Sequence, residues 1–370
     1  MRSTTAAVFE STDQPLLVEE ITIRDPGPGE VLVRVAHCGV CHSDLSVLNG
    51  SFPAPVPIVL GHEAAGVIEE VGPGVTMVAP GDHVVLTPMP SCGRCYFCVR
   101  RQPTLCAEYG MALFTSTLPD GSTPLERKGE RVWRGLGTAA FAQYAVMPEL
   151  GVIKIAPDVD LGVACVLGCA VQTGVGAVLN TARVEEGATV LVFGAGGIGV
   201  SVAQGAVIAG ASTIVVVEPD ADRRKAALGF GATDVLDPTS EDIAAATAQL
   251  TGGIGADYVF EAAGKVALVK QGISLARSGG TIVCVGAAPL DETLTIEGFV
   301  GFAASEKRII GCLLGTSNSA YDIPRLIALW RAGRLNLDAM VTGRFPLAEI
   351  NAAVDAATSL RGLRTIVDIG

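Results

Sequence analysis

Apolar runs separated by polar, glycine-bearing turns dominate the second half of the chain. Residues 189–193 form an almost wholly apolar strand, which a glycine-rich segment and then an apolar helix through Ala209 follow. A second apolar run at 212–217 ends at Glu218. Further apolar runs follow helical stretches, at 234–236, 258–261, 280–286 and 308–313. Strands that alternate with helices predict an α/β region with a parallel, doubly wound sheet.

The first half has a different pattern, with short strands punctuated by proline and glycine. Its short strands are expected at 7–9, 16–18, 31–35, 66–68 and 71–72, and a turn followed by a strand is expected at 80–85. They predict a mainly β domain from residue 1 to about 170. A helix is expected to begin near Ser43, with Ser43 as its N-cap. The polar, glycine-bearing residues 111–137 predict a long surface loop.

Composition narrows the class of protein. A length of 370 residues with 49% hydrophobic residues suggests two domains. The net charge of −12 disfavours nucleic acid and anionic membranes as partners. The N-terminus does not resemble a secretory signal, and no apolar run is long enough to span a membrane. The ten cysteines therefore indicate metal binding or catalysis in a cytoplasmic protein.

The glycine-rich segment between the strands at 189–193 and 212–217 carries the first candidate chemistry. Its glycines permit a tight turn and a close approach of the backbone to a pyrophosphate; they are Gly194, Gly196, Gly197 and Gly199. The next helix supplies N–H donors to that anion. Glu218 follows at about the distance where an acid accepts the adenosine ribose hydroxyls. A dinucleotide site is predicted, and a plain glycine-rich turn is the alternative.

Four closely spaced cysteines within residues 88–110 form the second candidate site. Cys92, Cys95, Cys98 and Cys106 follow the spacing C-x2-C-x2-C-x7-C. Four thiolates at short spacing bind one tetrahedral Zn²⁺ in a closed structural site. An iron–sulfur cluster is an alternative, although the Cys-Pro that closes ferredoxin motifs is absent from this sequence. Incidental buried cysteines are the other alternative.

A third site is indicated by Cys41 and His62, which belong to the segments CHSD and GHE. A catalytic Zn²⁺ takes three protein ligands and keeps one position open. Its third ligand must come from far along the chain, because no further candidate lies nearby. Cys169 is the best candidate, and Cys165 competes with it on composition alone.

These motifs, in this order, resemble those of the zinc-dependent medium-chain alcohol dehydrogenases. The chain is similar to their long, liver-type branch and to bacterial aryl and benzyl alcohol dehydrogenases. The resemblance covers nearly all 370 residues. It implies a GroES-like, mainly β catalytic domain at 1–170 and 314–370, and a Rossmann domain at 171–313. It also implies an active site in the cleft between the domains and a homodimer joined through the Rossmann sheets.

The resemblance further implies roles for individual residues. Cys41, His62 and Cys169 would hold a catalytic zinc, while the four-cysteine segment would hold a structural one. Glu63 would lie just behind the catalytic zinc, Asp44 would orient His62, and Ser43 would accept the alcohol proton. The implied cofactor contacts are His42 and Arg364 at the pyrophosphate, Ile198 and Thr173 at the nicotinamide, and Arg223 near the adenosine ribose.

Several positions depart from the family pattern. Ser46 stands where many relatives have the histidine that ends the proton relay. Phe52 and Gly110 replace the acid and the arginine with which the formaldehyde-oxidising branch holds its glutathione adduct, which argues against that substrate. Pro88 and Gly135 replace bulky aromatics near the zinc. A roomier pocket predicts a primary alcohol larger than ethanol, of the benzylic or terpenoid class.

The cofactor is expected to be NAD. The family's usual acid is aspartate, but Glu218 also repels a 2′-phosphate; Arg223 and Arg224 keep NADP as the alternative. Two other functions stay open at this point. One is a dehydrogenase that keeps its nicotinamide bound and regenerates it with a second acceptor. The other is a non-enzymatic zinc protein with a structural or nucleic-acid-binding role, which the acidic balance disfavours.

Overall fold

The computed structural model describes residues 1–359 and 362–370. The chain divides into two compact units. The first unit comprises Met1–Cys169, Asn318–Gly333 and Leu337–Gly370. The second unit comprises Ala170–Ser317 and Arg334–Asn336.

The strands and helices are numbered in chain order. The strands are β1 (Arg2–Phe9), β2 (Leu17–Ile23), β3 (Glu30–Gly39), β4 (Ile58–Val59), β5 (Glu63–Val71), β6 (His83–Leu86), β7 (Leu125–Arg127), β8 (Glu130–Arg134), β9 (Tyr144–Pro148), β10 (Val152–Lys154), β11 (Thr189–Phe193), β12 (Thr213–Val217), β13 (Asp234–Leu236), β14 (Ala256–Glu261), β15 (Ala276–Cys284), β16 (Arg308–Gly311), β17 (Val341–Pro346) and β18 (Arg364–Asp368). The α-helices are α1 (His42–Leu48), α2 (Ala112–Thr115), α3 (Leu161–Ala164), α4 (Ala170–Gly176), α5 (Gly197–Ala209), α6 (Ala221–Gly229), α7 (Ile243–Leu250), α8 (Val266–Leu275), α9 (Phe299–Ala304), α10 (Ser319–Arg331) and α11 (Ile350–Thr358). Helix α4 continues as a π-helix over Ala177–Ala182, and short 3₁₀ turns occupy Cys98–Arg100, Pro103–Leu105, Gly135–Gly137, Glu149–Gly151, Cys165–Gly168, Leu314–Thr316, Asp338–Met340 and Leu347–Glu349.

The first unit contains two β structures. Strands β1, β2, β7, β8 and β4 form a closed barrel in that order. A seven-stranded sheet has the order β10-β6-β5-β3-β18-β17, with β9 also paired to β3. Apolar side chains such as Val33, Leu32 and Phe141 are fully buried beneath these strands. The first half is therefore mainly β, as its short apolar runs predict.

Residues 111–137 are not the long surface loop that their polar composition predicts. They contain α2 and the hairpin of β7 and β8, which completes the barrel. Leu118, Leu125 and Val132 are at most 2% exposed. The prediction was wrong because these apolar residues are too widely spaced to form a run, and their burial depends on pairing with β2 and β4.

The second unit contains a six-stranded sheet with the order β13-β12-β11-β14-β15-β16. All its strand pairs are parallel. The chain runs outward from β11 through β12 to β13, and then crosses back to β14 on the other side of β11. A parallel sheet is covered by helices on both faces, which explains why β11 is apolar at successive positions rather than at alternate ones. The reversal beside β11 is the place where such sheets bind nucleotides.

Within the described residues, no single helix is long and apolar enough to cross a membrane. The bent pair Leu161–Gly168 and Ala170–Ala182 would pass that test together on length and composition alone.

Candidate active site and metal centres

The register of the seven-stranded sheet brings the predicted site residues of the first unit to one end of β3. Gly39, which ends β3, lies opposite Glu63 of β5 and Ile366 of β18. Cys41 follows Gly39, and His62 immediately precedes β5. Arg364 lies two residues before Ile366 on an antiparallel strand, so it also extends beyond Gly39. Three segments that are distant in sequence therefore leave the sheet together.

Cys41, His62 and Cys169 form a buried cluster of metal-ligand atoms. Their ligand atoms all lie within 4.8 Å of one another, and each residue is at most 9% exposed. The two sulfurs are 3.9 Å apart. In a tetrahedral zinc site with Zn–S bonds of about 2.3 Å, two sulfurs are roughly 3.8 Å apart. The donor set and its spacing thus fit Zn²⁺ with one position left over.

Cys165 was the competing candidate for the third ligand, but it lies elsewhere. Its thiol donates to the carbonyl of Gly162 at 3.5 Å. Burial raises the pKa of Cys165 well above its usual value, so it behaves as a neutral buried thiol. Of the two cysteines, only Cys169 joins Cys41 and His62.

Asp44 connects the elements of this cluster. It is fully buried, and its Oδ1 accepts from the backbone N–H of Gly61 at 3.0 Å and lies 3.2 Å from His62 Nδ1. Its Oδ2 accepts from the backbone N–H of Cys41 at 3.0 Å. This last bond makes Cys41 the N-cap of α1, so the predicted N-cap at Ser43 was two residues too late. A carboxylate on Nδ1 leaves Nε2 of His62 as the nitrogen for a metal.

Electrostatics within the cluster favour a cysteine thiolate. The pKa of Cys41 is lowered well below its usual value, chiefly by the hydrogen bond from Cys169, against the opposing effect of burial. The positive charges of His62 and Arg364 lower it further. Since the thiolate is the form that binds metals, the protein environment prepares Cys41 for a cation.

Glu63 and Arg364 form a buried ion pair beside the cluster. Arg364 Nε lies 3.1 Å from Glu63 Oε2, and their side chains are 8% and 0% exposed. Burial is the largest effect and acts to lower the pKa of Arg364, but the charges of Glu63, Cys41 and Cys169 together outweigh it and the pKa is raised. Arg364 Nη1 also donates to the carbonyl of Val40 at 3.4 Å. Burial of an ion pair is costly, so its position beside three ligand atoms suggests a role at the site.

The four cysteines of the segment 88–110 form the second cluster. Their sulfurs all lie within 4.8 Å of one another, with Cys95 and Cys106 4.0 Å apart. The backbone N–H of Ala107 donates to Cys95, and it is the largest of the effects that lower the pKa of Cys95 to about 6. Four sulfurs at this spacing fit a single tetrahedral ion with no open position.

The glycine segment of the second unit joins β11 to α5. An ideal Cβ at Gly199 would lie 1.9 Å from the carbonyl oxygen of Gly194, so only glycine allows this turn. Glu218 follows β12 and is 4% exposed. Its Oε2 accepts from the N–H of Ala195 at 2.7 Å, and its Oε1 accepts from that of Asp220 at 3.0 Å. The acid thus lies directly against the predicted pyrophosphate turn.

The family models and the relatives of the chain agree with this geometry. Residues 27–158 match the model described as "Alcohol dehydrogenase GroES-like domain", and residues 197–330 match that described as "Zinc-binding dehydrogenase". The NDMA-dependent alcohol dehydrogenase of Amycolatopsis methanolica is 37% identical over 98% of this chain and 98% of its own length. The class-3 alcohol dehydrogenase of Dictyostelium discoideum is 35% identical over 98% of this chain and 97% of its own length.

The chain belongs to the zinc-dependent medium-chain alcohol dehydrogenases. The crystal structure of benzyl alcohol dehydrogenase from Acinetobacter calcoaceticus has the same fold, with a TM-score of 0.94 and 32% identity over the full length of both chains. The predicted fold class, a GroES-like domain plus a Rossmann domain, is confirmed. So is the prediction that the protein is an oxidoreductase of the alcohol dehydrogenase class.

The other predicted site residues of this alcohol dehydrogenase are distributed over both units. In the first unit, His42 is exposed and Ser43 half-buried at the start of α1. Ser46 is buried on the same helix, where its hydroxyl donates to the carbonyl of His42 at 3.1 Å. In the second unit, Thr173 is buried in α4 and Ile198 is half-buried in the first turn of α5.

Arg223 of α6 approaches the glycine turn, because its Nη1 lies 4.0 Å from an ideal Cβ at Gly196. Arg224 is engaged elsewhere, with the carbonyl of Glu218 at 2.6 Å and the carboxylate of Asp237 at 2.9 Å. Arg224 therefore contacts the acid that is expected to select the cofactor, while Arg223 lies near the glycine turn.

Gly135, which replaces a bulky aromatic of the family pattern, does not leave open space where that side chain would be. An ideal Cβ at Gly135 would lie 2.6 Å from the carbonyl oxygen of Val59 and 2.7 Å from Leu60 Cδ2. The space of a side chain at this position is already filled by β4 and the residue after it. Gly135 therefore does not enlarge a pocket and gives no support to a substrate larger than ethanol.

Proposed function

We propose that this alcohol dehydrogenase interconverts a primary alcohol and its aldehyde with NAD, at a zinc held by Cys41, His62 and Cys169. The buried cluster of these three residues carries the proposal. Two sulfurs and one imidazole nitrogen occupy three of four tetrahedral positions, which leaves the fourth for a substrate oxygen. The four-cysteine cluster would hold a second, structural zinc.

When bound, Zn²⁺ supplies Lewis acidity to the substrate oxygen and NAD supplies the hydride acceptor. The roles of the chain's own residues follow from their positions. Asp44 holds His62 in one tautomer and ties it to the backbone of Cys41 and Gly61. Ser43 accepts the hydroxyl proton of the alcohol. The ion pair of Glu63 and Arg364 maintains the charge balance beside two thiolates.

Glu218 is the residue that would select NAD over NADP. Its buried carboxylate lies at the end of β12, and a 2′-phosphate on the adenosine ribose would meet that negative charge. We expect Glu218→Ala to reduce the preference for NAD over NADP in kcat/KM. Asp222→Ala, which removes an exposed charge four residues away, is the matched control and should leave the preference unchanged. An unchanged preference in Glu218→Ala would refute this role.

For the substrate, we propose an alcohol bulkier than ethanol, with an aromatic group. Phe52 packs partly buried against the core of the first unit, in a position where the glutathione-dependent branch needs an acid. The structural neighbour from Acinetobacter calcoaceticus is named for benzyl alcohol, which supports the same class.

The decisive experiment is to follow NADH formation with benzyl alcohol and with ethanol, using protein of measured zinc content and a chelator-treated sample. Zinc-dependent turnover that favours benzyl alcohol in kcat/KM is the expected result. A preference for ethanol would refute the substrate class, and turnover that survives the removal of both zinc ions would refute the role of Cys41, His62 and Cys169.

One relative favours a second candidate function. The Amycolatopsis methanolica protein is named as an NDMA-dependent alcohol dehydrogenase, so its activity depends on a compound other than the alcohol. In this candidate, the nicotinamide stays bound and a second acceptor regenerates it. Absorbance of bound cofactor in the purified protein, with turnover only when an acceptor is added, would establish this alternative over free exchange of NAD.

We also propose that the chain forms a homodimer through β16. This strand is at the edge of the six-stranded sheet and is paired only with β15 among the described strands. The residues just before it expose large apolar side chains, with Phe299 69% and Val300 81% exposed. An unpaired strand edge preceded by exposed apolar residues is a surface that a second copy would cover.

A further inference from the structure

Glu261 is a buried acid to which neither the metal chemistry nor the selection of NAD assigns a role. It is the last residue of β14, the strand beside β11 at the reversal of the sheet. Glu261 is 2% exposed, and burial raises the pKa of its carboxyl group. An acid that ends a buried strand at the nucleotide-binding edge calls for a physical explanation.

The contacts of Glu261 join two turns of the second unit. Its side-chain Oε1 accepts from the backbone N–H groups of Ala263 at 2.8 Å and Lys265 at 3.2 Å, in the turn that follows β14. Its backbone carbonyl accepts from Val285 at 2.9 Å and Gly286 at 2.8 Å, in the turn that follows β15. One residue thus holds both turns.

The two turns are also packed closely against each other. An ideal Cβ at Gly286 would lie 2.2 Å from the backbone nitrogen of Gly264 and 2.7 Å from Glu261 Oε2. The first turn also reaches the glycine segment, since an ideal Cβ at Gly194 would lie 3.3 Å from the Cβ of Ala263. The carboxylate therefore holds the turn after β14, and that turn packs against the turn after β15.

The order of the strands indicates which part of a dinucleotide these turns would meet. The glycine turn after β11 is placed for the pyrophosphate, and Glu218 after β12 is placed for the adenosine ribose. In a doubly wound sheet the dinucleotide crosses the reversal, so its other half extends over the carboxyl ends of β14 and β15. In NAD this half carries the nicotinamide.

We propose that Glu261 is a positioning residue that holds the turns after β14 and β15 in place for the nicotinamide half of the cofactor. This proposal rests on the proposed use of NAD. Because Glu261 is buried, its carboxylate acts through the backbone of Ala263 and Lys265, and through the packing of Gly264 against Gly286, rather than by touching the cofactor. Its loss should therefore weaken binding of the nicotinamide half and spare the adenosine half.

The test compares NAD with ADP-ribose, which has the adenosine and pyrophosphate groups and lacks the nicotinamide. Both are titrated calorimetrically into zinc-loaded protein freed of bound cofactor. For Glu261→Ala we expect the Kd of NAD to rise about tenfold or more, since hydrogen bonds to a charged group are lost. The Kd of ADP-ribose should change by less than about twofold in the same variant. Glu261→Gln keeps an acceptor oxygen and should restore NAD binding.

Two further variants separate this role from general damage to the fold. Gly286→Ala keeps the carboxylate but forces the two turns apart, so it should reproduce the selective loss of NAD binding even if Glu261→Ala fails to fold. Glu218→Gln should weaken both ligands together, because it changes the adenosine side.

The outcomes are distinguishable. An equal loss of both ligands in Glu261→Ala and Gly286→Ala, or unchanged binding of NAD in both, would overturn the positioning role. Wild-type protein that binds neither ligand would overturn the proposed use of NAD, and this inference with it.

Discussion

Asp44 shows how much of the proposed metal site depends on one side chain that is not among its three ligand residues. It accepts hydrogen bonds from the backbone of Cys41 and Gly61 and lies against His62 Nδ1. These contacts fix both the start of α1 and the orientation of the histidine. A carboxylate behind a ligand histidine also raises the basicity of the ring.

We expect Asp44→Ala to weaken zinc binding at the Cys41 cluster by about 10–100-fold, because His62 loses its orienting partner. Competition with a chromogenic chelator measures the affinity. Ser46→Ala is the matched control, since this buried hydroxyl on the same helix donates only to the carbonyl of His42 among the contacts described for it. Equal zinc affinity in Asp44→Ala and Ser46→Ala would contradict the assignment.

Arg134 presents the opposite case, a buried charge with little compensation. It is 2% exposed, its Nη2 contacts the sulfur of Met147 at 3.0 Å, and its Nε has no hydrogen-bond partner among the described residues. Burial lowers the pKa of Arg134 to about 9, with the charge of Glu30 opposing this effect. A charged group in such a position destabilises the folded state.

We therefore expect Arg134→Met, which nearly conserves volume, to raise the free energy of unfolding by about 1–2 kcal/mol at pH 7. Below the folded-state pKa of about 9 the group is charged in both states and the full cost is present. Above it the folded protein releases the proton first, so the advantage of the variant should shrink. Urea unfolding at pH 7 and pH 10 measures both effects. A less stable variant would mean that the guanidinium has a favourable partner which the chain itself does not supply.

At the scale of elements, the segment 88–110 brings four cysteine sulfurs together although it has little core of its own. Its regular structure is limited to the 3₁₀ turns Cys98–Arg100 and Pro103–Leu105, and Tyr96 and Val99 are more than 60% exposed. So little apolar burial cannot order a segment of this length, whereas a metal bound by four thiolates can.

Cys98→Ser is expected to reduce the zinc content from two ions per chain to one and to make the segment 88–110 sensitive to proteases, while the fold of the remaining chain persists. Elemental analysis and limited proteolysis measure these effects. Cys165→Ser, which changes a buried cysteine outside both clusters, should retain two ions. Two bound ions in Cys98→Ser would show that this cluster is not a zinc site.

At the scale of the whole molecule, the proposed homodimer requires backbone N–H groups of β16 that face away from β15. The backbone N–H of Cys312 donates to Cys284 of β15, so in the alternation of a strand the N–H of Ile310 also faces β15 and that of Ile309 faces outward. A proline at 309 therefore removes an outward donor without breaking the sheet of its own subunit.

We expect Ile309→Pro to shift the protein from dimer to monomer in analytical ultracentrifugation, with circular dichroism unchanged. Ile309→Ala removes the same side chain but keeps the N–H group, so it should remain dimeric. If both variants dissociate, side-chain packing rather than strand pairing joins the subunits. If neither dissociates, the interface lies elsewhere.

Much of the chain could be predicted because the relevant signals are local. The turn from Gly194 to Gly199 lies between two apolar strands, and all its parts fall within thirty residues of Glu218. The four cysteines lie within a similarly short segment, so their spacing alone restricts them to one ion. Short-range patterns of this kind survive in any fold that contains them, which is why sequence alone determined the family and the fold class and predicted two zinc sites.

Tertiary structure alone decided the features that join distant segments. Composition and spacing do not distinguish Cys169 from Cys165, since both precede α4 by a few residues and Cys41 lies more than a hundred residues away. The resemblance implied Cys169, and the fold brings Cys169 to Cys41 and His62. Only strand pairing turns part of residues 111–137 into a barrel hairpin, buries Arg134 and places the turns after β14 and β15 around Glu261. A side chain's partners across a sheet depend on register and strand order, and neither of these is encoded by the residues next to it.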